Sequence, residues 1–399
     1  MIVSITKAYS YSMENINQAL DILFENLNMD KKAPFKDIIQ PGMKVFIKPN
    51  WVASRWRESC AHKDDIYCVI THHNIIEAIC DRVVNSLNGR GKIYIGDNPT
   101  IDADFNELMN LTNIKRLEEK YSGLVEILDL RPLICDDLKN YGKKYLMKKQ
   151  TGDPNGGLEI NLGKDSLFYG VDSTLFRGVF DEREDTIKSH TGENQLYTFS
   201  STIYNSDLYI SIPKLKTHHK TGVTLNLKGL VGCIIDKNQL VHWKVGYPCI
   251  GGDEYPNKEI YDKMQKEKIQ ERGAWPGNDT IWRMVCDLYR AFNLRKGKNF
   301  TIIDGILGGE GQGPLCPNSV HSNTLIASND LLICDIVATR YMGINPYKIN
   351  YLNYFINKYN INVENITVFN EGKIVDNFFN DYDKYLDFKV KELWENIKI

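Results

Sequence analysis

Short β-branched runs alternate with amphipathic stretches along the chain, and this alternation sets the fold class before any other property is weighed. MIVSITKA reads as a strand and residues 13–28 as a helix. KVFIKPNWV, after the turn Gln40-Pro41-Gly42, reads as a buried strand ending in a proline-punctuated loop. In THHNIIEAICDRVVNSLNG, Ile75, Ile76, Ile79, Val83, Val84 and Leu87 fall at helical spacing, and Asn88-Gly89 closes the helix. The strand GKIYIGDNP follows, then a helix over 104–121 and the extended VEILDL. Residues 136–196 are long, polar and poorly periodic. From 197 the pattern predicts a short helix near 200–205, the strand DLYISIPKLK, a helix over TLNLKGLVG, and a second aperiodic stretch to 275. Helix 279–294, strand FTIIDGI, a glycine-rich loop, strand NTLIAS, helices 330–342 and 346–358, strand NITVFNEG and a helix near 381–397 complete the chain. Strands joined through helices need crossover connections, so the expected class is α/β: mixed or mainly parallel sheets flanked by helices. The expected division is an N-terminal lobe of residues 1–135, an irregular connection of 136–196 and a C-terminal lobe of 197–399, with a crevice between the lobes.

Composition narrows the function classes. The 399 residues suffice for one large or two ordinary domains. Forty-nine Lys and Arg against 51 Asp and Glu leave a formal charge of −2, so no global field draws the chain to nucleic acid or an anionic membrane. Any anion binding must be local. No run approaches the ~18 apolar residues that span a bilayer, and the opening residues lack an apolar segment with a cleavage site, so a cytoplasmic chain without a membrane span is expected. The nine cysteines are odd in number and form no CxxC pair, which points to reduced thiols and to no intrinsic iron–sulfur cluster.

Three segments carry candidate chemistry. In IPKLKTHHKTGVTLNLKGLVGC, an extended chain would place Lys214, Lys216, His218 and Lys220 on one face. Such a ladder repels itself unless an anion or carboxylates stand opposite, and Thr221, Gly222 and Thr224 then fall where a helix start presents free N–H groups. Asn226 and Lys228 lie further along that helix. The alternative is a solvated edge strand whose lysines discourage pairing. In FTIIDGILGGEGQGPLCPN, Asp304 ends an apolar strand and Gly305, Gly308, Gly309, Gly311 and Gly313 follow. A backbone cradle for a ligand is one reading and a tight reversal the other. KVFIKPNWV and GKIYIGDNP deliver Lys48, Asn50, Asp97 and Asn98 at strand ends, where the acids serve as acid–base groups or cation ligands, or simply cap loops.

Weaker features round out the reading. His72-His73 begins a helix and suits a cap. His218 and His219 would face opposite ways in an extended chain. His242 lies in LVHWKVGYPCIGGDEYP, a polar loop placed to cover a site. Cys316 lacks an evident base, and WVASRWR is the sole stretch with basic-aromatic interleaving.

Taken in order, VFIKPNWV, IYIGDNP, IPKLKTHHKTGVTLNLKGLVG, IIDGILGGEGQGP and IASNDLLICDIVATRYMGINP resemble the domain of unknown function 362 family, from about residue 44 to 346. The matching positions are Lys48, Asn50, Asp97, Lys216, His218, Thr224, Lys228, Asp304, Gly311, Pro314, Asp330 and Asp335. Some family members are fused to ferredoxin-like iron–sulfur modules, and the GGDEYP loop is similar to members encoded with surface-polysaccharide genes. The resemblance thus implies an enzyme, with polysaccharide metabolism as its setting.

The expected function is an enzyme acting on an anionic small molecule: a phosphorylated or nucleotide-linked sugar, or a carboxylate. His218, Asp304 and Asp97 are its catalytic candidates. Lys48, Asn50, Lys214, Lys216, Thr224, Lys228, Gly309, Gly311 and Gly313 are its binding candidates. Asp97 and Asp304 would also hold a divalent cation such as Mg²⁺. The rival readings are a redox protein served by a partner's iron–sulfur cluster and a non-catalytic anion sensor.

Overall fold

The computed structural model describes residues 1–61, 63–267 and 271–399. It is built on one twelve-stranded sheet. Eleven strands position the site: β1 (Ile2–Lys7), β2 (Lys44–Pro49), β3 (Lys92–Asp97), β4 (Val125–Asp129), β5 (Leu208–Ile212), β6 (Lys214–His218), β7 (Lys298–Gln312), β8 (Cys316–Val320), β9 (Thr324–Ser328), β10 (Thr367–Asn370) and β11 (Lys373–Ile374). The main order is β11-β10-β1-β9-β7-β5-β2-β3-β4. Strands β7, β5, β2, β3 and β4 run parallel, and β9 runs antiparallel to both β1 and β7. Strand β6 continues beside β7 past Pro213, where the missing N–H interrupts the ladder, and it also pairs with the two-residue strand Gly222–Val223. The fold is therefore α/β, as the alternation implies.

The helices used below are α1 (Met13–Asn26), α2 (His73–Ser86), α3 (Leu225–Gly229), α4 (Ile281–Phe292), α5 (Leu331–Tyr341) and α6 (Asn350–Lys358). Alternate strand residues face opposite layers. Val45, Ile47, Ile93, Ile95 and Ile210 pack with Leu20 and Leu23 of α1 and Ile76 and Ile79 of α2. Phe46, Tyr209, Ile303 and Ile326 pack with Leu227 of α3, Leu288 of α4, Ile336 of α5 and Phe355 of α6. Every residue of α5 is buried, so this helix is covered on all sides. His72 caps α2, its Nδ1 accepting from the Asn74 N–H at 3.1 Å.

Several expectations are corrected. The sheet does not divide at 136–196: β1 to β4 come from the first expected lobe and β5 to β9 from the second, and they form one ladder. The expected helix over 104–121 breaks at Asn113, which adopts φ +47° between Phe105–Thr112 and Arg116–Lys120. Lys258–Glu267 is helical, unlike the expected aperiodic run, whereas the expected terminal helix shrinks to a 3-10 turn at Glu392–Ile397. The glycine-rich loop is instead the second half of β7, which runs unbroken through Gln312. Cys60 and Cys316 form a disulfide with Cα atoms 5.2 Å apart, so these two are not reduced thiols and Cys316 is no nucleophile. Their separation of 256 residues carries no spacing signal. Among the described residues no helix is long and apolar enough to cross a membrane.

Candidate functional site

Open α/β sheets expose a crevice beyond the carboxyl ends of their parallel strands, where backbone and loops diverge. A cavity of about 370 Å³ lies there. Lys48 reaches it from β2, Asp97 and Asn98 from the end of β3, Lys216 and His218 from β6, and Lys228 from α3. Arg57 and the aperiodic stretches complete the walls, with Tyr141, Arg177, Asp181, Lys237, His242, Trp243 and Arg272; Arg177 and Trp243 pair across a two-stranded ladder. A neighbouring cavity of about 320 Å³ shares Ile101 and Lys237 with it and is lined further by Pro132, Leu133, Phe180 and Ile235 and by the polar Lys144, Thr198, Asp236 and Asn238.

The described lining holds eight lysines and arginines against two carboxylates, Asp97 and Asp181. Lys48 pairs with Asp97 at 2.8 Å, Arg177 with Asp181, Arg57 with Asp102 at 3.4 Å and Arg272 with Glu254 at 3.2 Å. Among the described residues Lys216, Lys220, Lys228 and Lys237 form no ion pair with a carboxylate, unlike Lys48 and Arg177. The Lys216 Nζ donates to the carbonyls of Val69 (2.7 Å) and Pro314 (3.1 Å), and Lys237 to that of Asn98 (3.3 Å). Lys220 stands over the Trp243 ring, 4.5 Å from its centre. Lys228 is 8% exposed and its ammonium makes no hydrogen bond among the described residues. Burial pushes Lys216, Lys220 and Lys237 down to about 7, with neighbouring cations adding to the effect, and burial alone pushes Lys228 down to about 8. Asn98 Oδ1 and Trp243 Nε1 are also buried without a hydrogen-bond partner among the described residues.

Local strain presents Lys228. Leu225 opens α3 at φ +47°, a left-handed conformation that costs a branched residue roughly 1–2 kcal/mol. Asp335 of α5 holds it there. Its carboxylate accepts from the N–H groups of Asn226 (2.9 Å) and Leu227 (2.8 Å) and from Asn226 Nδ2 (2.8 Å), while burial pushes the acid up to about 7. Thr301 donates to Asn226 Oδ1 at 2.7 Å and locks the amide's orientation. Asp330 caps α5 by accepting from the Ile333 N–H at 3.0 Å. Both acids are thus positioning residues of the scaffold.

Of the residues singled out in the sequence, Lys48, Asn50, Asp97, Lys216, His218, Thr224 and Lys228 line this cavity together. Asp304, Lys214, Gly309, Gly311 and Gly313 do not. Asp304 and Lys214 are fully buried and bonded to each other at 2.8 Å; Asp304 also accepts from the Tyr11 hydroxyl (2.9 Å) and the His72 N–H (3.0 Å). With all its acceptors engaged away from the cavity, Asp304 is in no position to handle a substrate proton. Nor do Asp97 and Asp304 converge on a cation. Asp97 already accepts from Lys48 and from the N–H groups of Trp51 and Asn98, each at 2.8 Å, and among the described residues no group of three His, Cys, Asp or Glu could hold a metal. The glycines serve close packing: a Cβ would lie 2.6 Å from the Cys68 carbonyl at Gly309 and 2.0 Å from that of Thr217 at Gly313, and Gly311 has φ +75°. The lysine ladder is split by the bulge between Lys214 and Lys216. The turn at residues 219–220 brings His219 into the same wall as His218, ring centres 5.5 Å apart. Arg177, Lys237 and Arg272 were missed because they sit in stretches with no periodicity to place them.

Residues 169–340 match the family described as Domain of unknown function (DUF362), in agreement with the resemblance read from the motifs. The thylakoid-associated protein sll1697 of Synechocystis sp. is 22% identical over 345 residues, covering 86% of this chain and 75% of that protein. Among solved structures, the lactate racemase apoprotein from Thermoanaerobacterium thermosaccharolyticum aligns with a TM-score of 0.39 and 10% identity. That alignment covers 85% of this chain, and the chain spans 56% of that structure's length.

Proposed function

We propose that this chain, with its DUF362 region, is an enzyme that binds and converts a small polyanion: a phosphorylated or nucleotide-linked sugar, or a polycarboxylate. The carrying observation is the excess of eight cationic side chains over two carboxylates in the described lining of one cavity, with Lys220 and Lys228 in no ion pair among the described residues. Buried ammonium groups without counter-charge are costly, and a bound anion would offset that cost through charge-assisted hydrogen bonds. Lys228, Lys220 and Lys216 fix the anion in this reading, Lys48 and Asn50 complete the wall, and Thr224 lines the start of α3. Asn98 Oδ1 and Trp243 Nε1 suit the polar groups of a sugar-sized ligand. Polysaccharide metabolism remains the proposed setting.

Calorimetric titration with pyrophosphate, glucose 1-phosphate, citrate and uncharged glucose at pH 7, in buffers of different ionisation enthalpy, tests the reading. Lysines near 7 are about half protonated at that pH, so anion binding should draw about one to two protons from solution. Glucose should not compete. Anions that bind no better than glucose, or bind without proton uptake, would refute the polyanion site. Binding without conversion of any anion that occupies the cavity, followed by ³¹P and ¹H spectra, would instead make the protein a sensor.

A further inference from the structure

Two histidines in the cavity hold opposite tautomers, and the backbone dictates which. The Lys220 backbone N–H donates to His218 Nδ1 at 3.0 Å. An amide can only donate, so Nδ1 is bare and the proton of the neutral ring sits on Nε2. His242 is the reverse: its Nδ1 lies 2.8 Å from the Leu240 carbonyl, which can only accept, so Nδ1 carries the proton and Nε2 is bare. Neither Nε2 has a protein partner among the described residues, and both rings line the cavity. Burial and the lysines that face them keep both rings neutral. These are Lys220, Lys228 and Lys237 around His242, and Lys228, Lys220 and Lys216, with His219, around His218.

We infer that His242 and His218 form a complementary proton-transfer pair, with His242 Nε2 as base and His218 Nε2–H as donor, and that the substrate is an anion carrying a C–H beside a carbonyl. This deepens the polyanion reading and rests on it. In the forward step the substrate C–H bond breaks, its electron pair becomes the enolate, and the proton forms the new N–H bond on His242 Nε2. The His218 Nε2–H hydrogen-bonds the enolate oxygen, and the surrounding lysines neutralise its charge. Return of the proton to carbon restores both rings, so the cycle needs no oxidant, reductant or co-reactant. Anion binding also primes the base, because it cancels the positive field of Lys220, Lys228 and Lys237.

The test uses the full chain labelled with ¹⁵N-histidine, with His242→Gln and His218→Gln for assignment. At pH 7 the ring spectrum should show a bare Nε2 with protonated Nδ1 for His242 and the converse for His218; the opposite pattern at His242 would overturn the pair. Pyrophosphate should bind the wild type and shift the His242 Nε2 signal toward the protonated form. If pyrophosphate does not bind, the polyanion reading fails; if it binds and His242 Nε2 stays unmoved, only the pair fails. In D₂O, dihydroxyacetone phosphate should take deuterium at the carbons beside its carbonyl. His242→Gln should slow this at least about 100-fold while weakening pyrophosphate by less than tenfold. Exchange in His242→Gln at the wild-type rate, or none in wild type that binds pyrophosphate, would overturn the proposal.

Discussion

Replacing Lys228 with methionine keeps the apolar stem and removes the ammonium, and it should move affinity and stability in opposite directions. Lys228 is 8% exposed, in no ion pair among the described residues, and held at about 8 against an ordinary 10.5 by burial alone. At pH 7 the folded protein therefore carries a charge whose desolvation costs on the order of 3 kcal/mol, so Lys228→Met should stabilise the free protein by up to about that amount. With an unfolding entropy of ~2.1 cal/mol/K per residue, the melting temperature should rise by roughly 2–4 °C. The same change removes a charge-assisted bond to the anion, worth about 1.5–3 kcal/mol, so pyrophosphate should bind roughly 10- to 150-fold more weakly. Differential scanning fluorimetry without ligand and calorimetry with pyrophosphate read the two effects separately. A variant less stable than wild type, with unchanged affinity, would mean that Lys228 is a packing residue and that the electrostatic reasoning is wrong.

Three further outcomes follow from the same geometry. Asp304→Asn breaks a fully buried ion pair outside the cavity, so it should cost about 3–5 kcal/mol in chemical denaturation yet leave pyrophosphate affinity in the folded protein within about twofold; a tenfold loss of affinity would place Asp304 in the site after all. Gly232→Ala puts a Cβ 2.2 Å from Asp97 Oδ1 and 2.7 Å from Lys48 Nζ, so overpacking should cost about 1–3 kcal/mol and displace that pair, weakening anion binding; wild-type melting and affinity together would contradict the assigned contact. The four depressed lysines make the unfolded chain bind more protons than the folded one from about pH 7 up to their ordinary 10.5. Free-protein stability should therefore climb with pH between about 7 and 8.5, by up to about 1.4 kcal/mol per pH unit for each lysine involved, and saturating pyrophosphate should flatten the climb; above about 8.5 the buried thiols of Cys68, Cys80, Cys233, Cys286 and Cys334, pushed up by burial, work in the opposite sense. Asp335, pushed up to about 7, works in the opposite sense only at lower pH, so a stability that falls from about pH 7 to 8.5 would refute the lysine assignment.

The strands and long helices were legible because each buries one face in a regular period. Lys48, Asp97, Lys216 and Lys228 were legible for the related reason that polar groups at the ends of apolar strands, or on a short helix beside one, point to the crevice. Asp304 shares that signature and belongs elsewhere, since only the fold reveals that Lys214, Tyr11 and the His72 amide consume its lone pairs. The glycines after it suggested a cradle because glycine spacing cannot distinguish a ligand's approach from a neighbouring strand's, and at Gly313 the neighbour is the Thr217 carbonyl. Arg177, Lys237 and Arg272 lie in stretches whose conformation depends on long-range contacts, such as the Glu254 partner of Arg272, and local periodicity carries no trace of these. The Cys60–Cys316 bond closes two loops that line the cavity through Arg57 and Leu315, a pairing that only tertiary structure could reveal.

The central claim is that Lys216, Lys220 and Lys228 together hold an anion, and a crystal soaked in tungstate, a heavy tetrahedral oxyanion, puts it to the most direct test. The account predicts an anomalous peak within hydrogen-bond reach of the Lys228 ammonium, abolished in Lys228→Met. Tungstate bound only at the outer surface, with the cavity filled by ordered water, would contradict it.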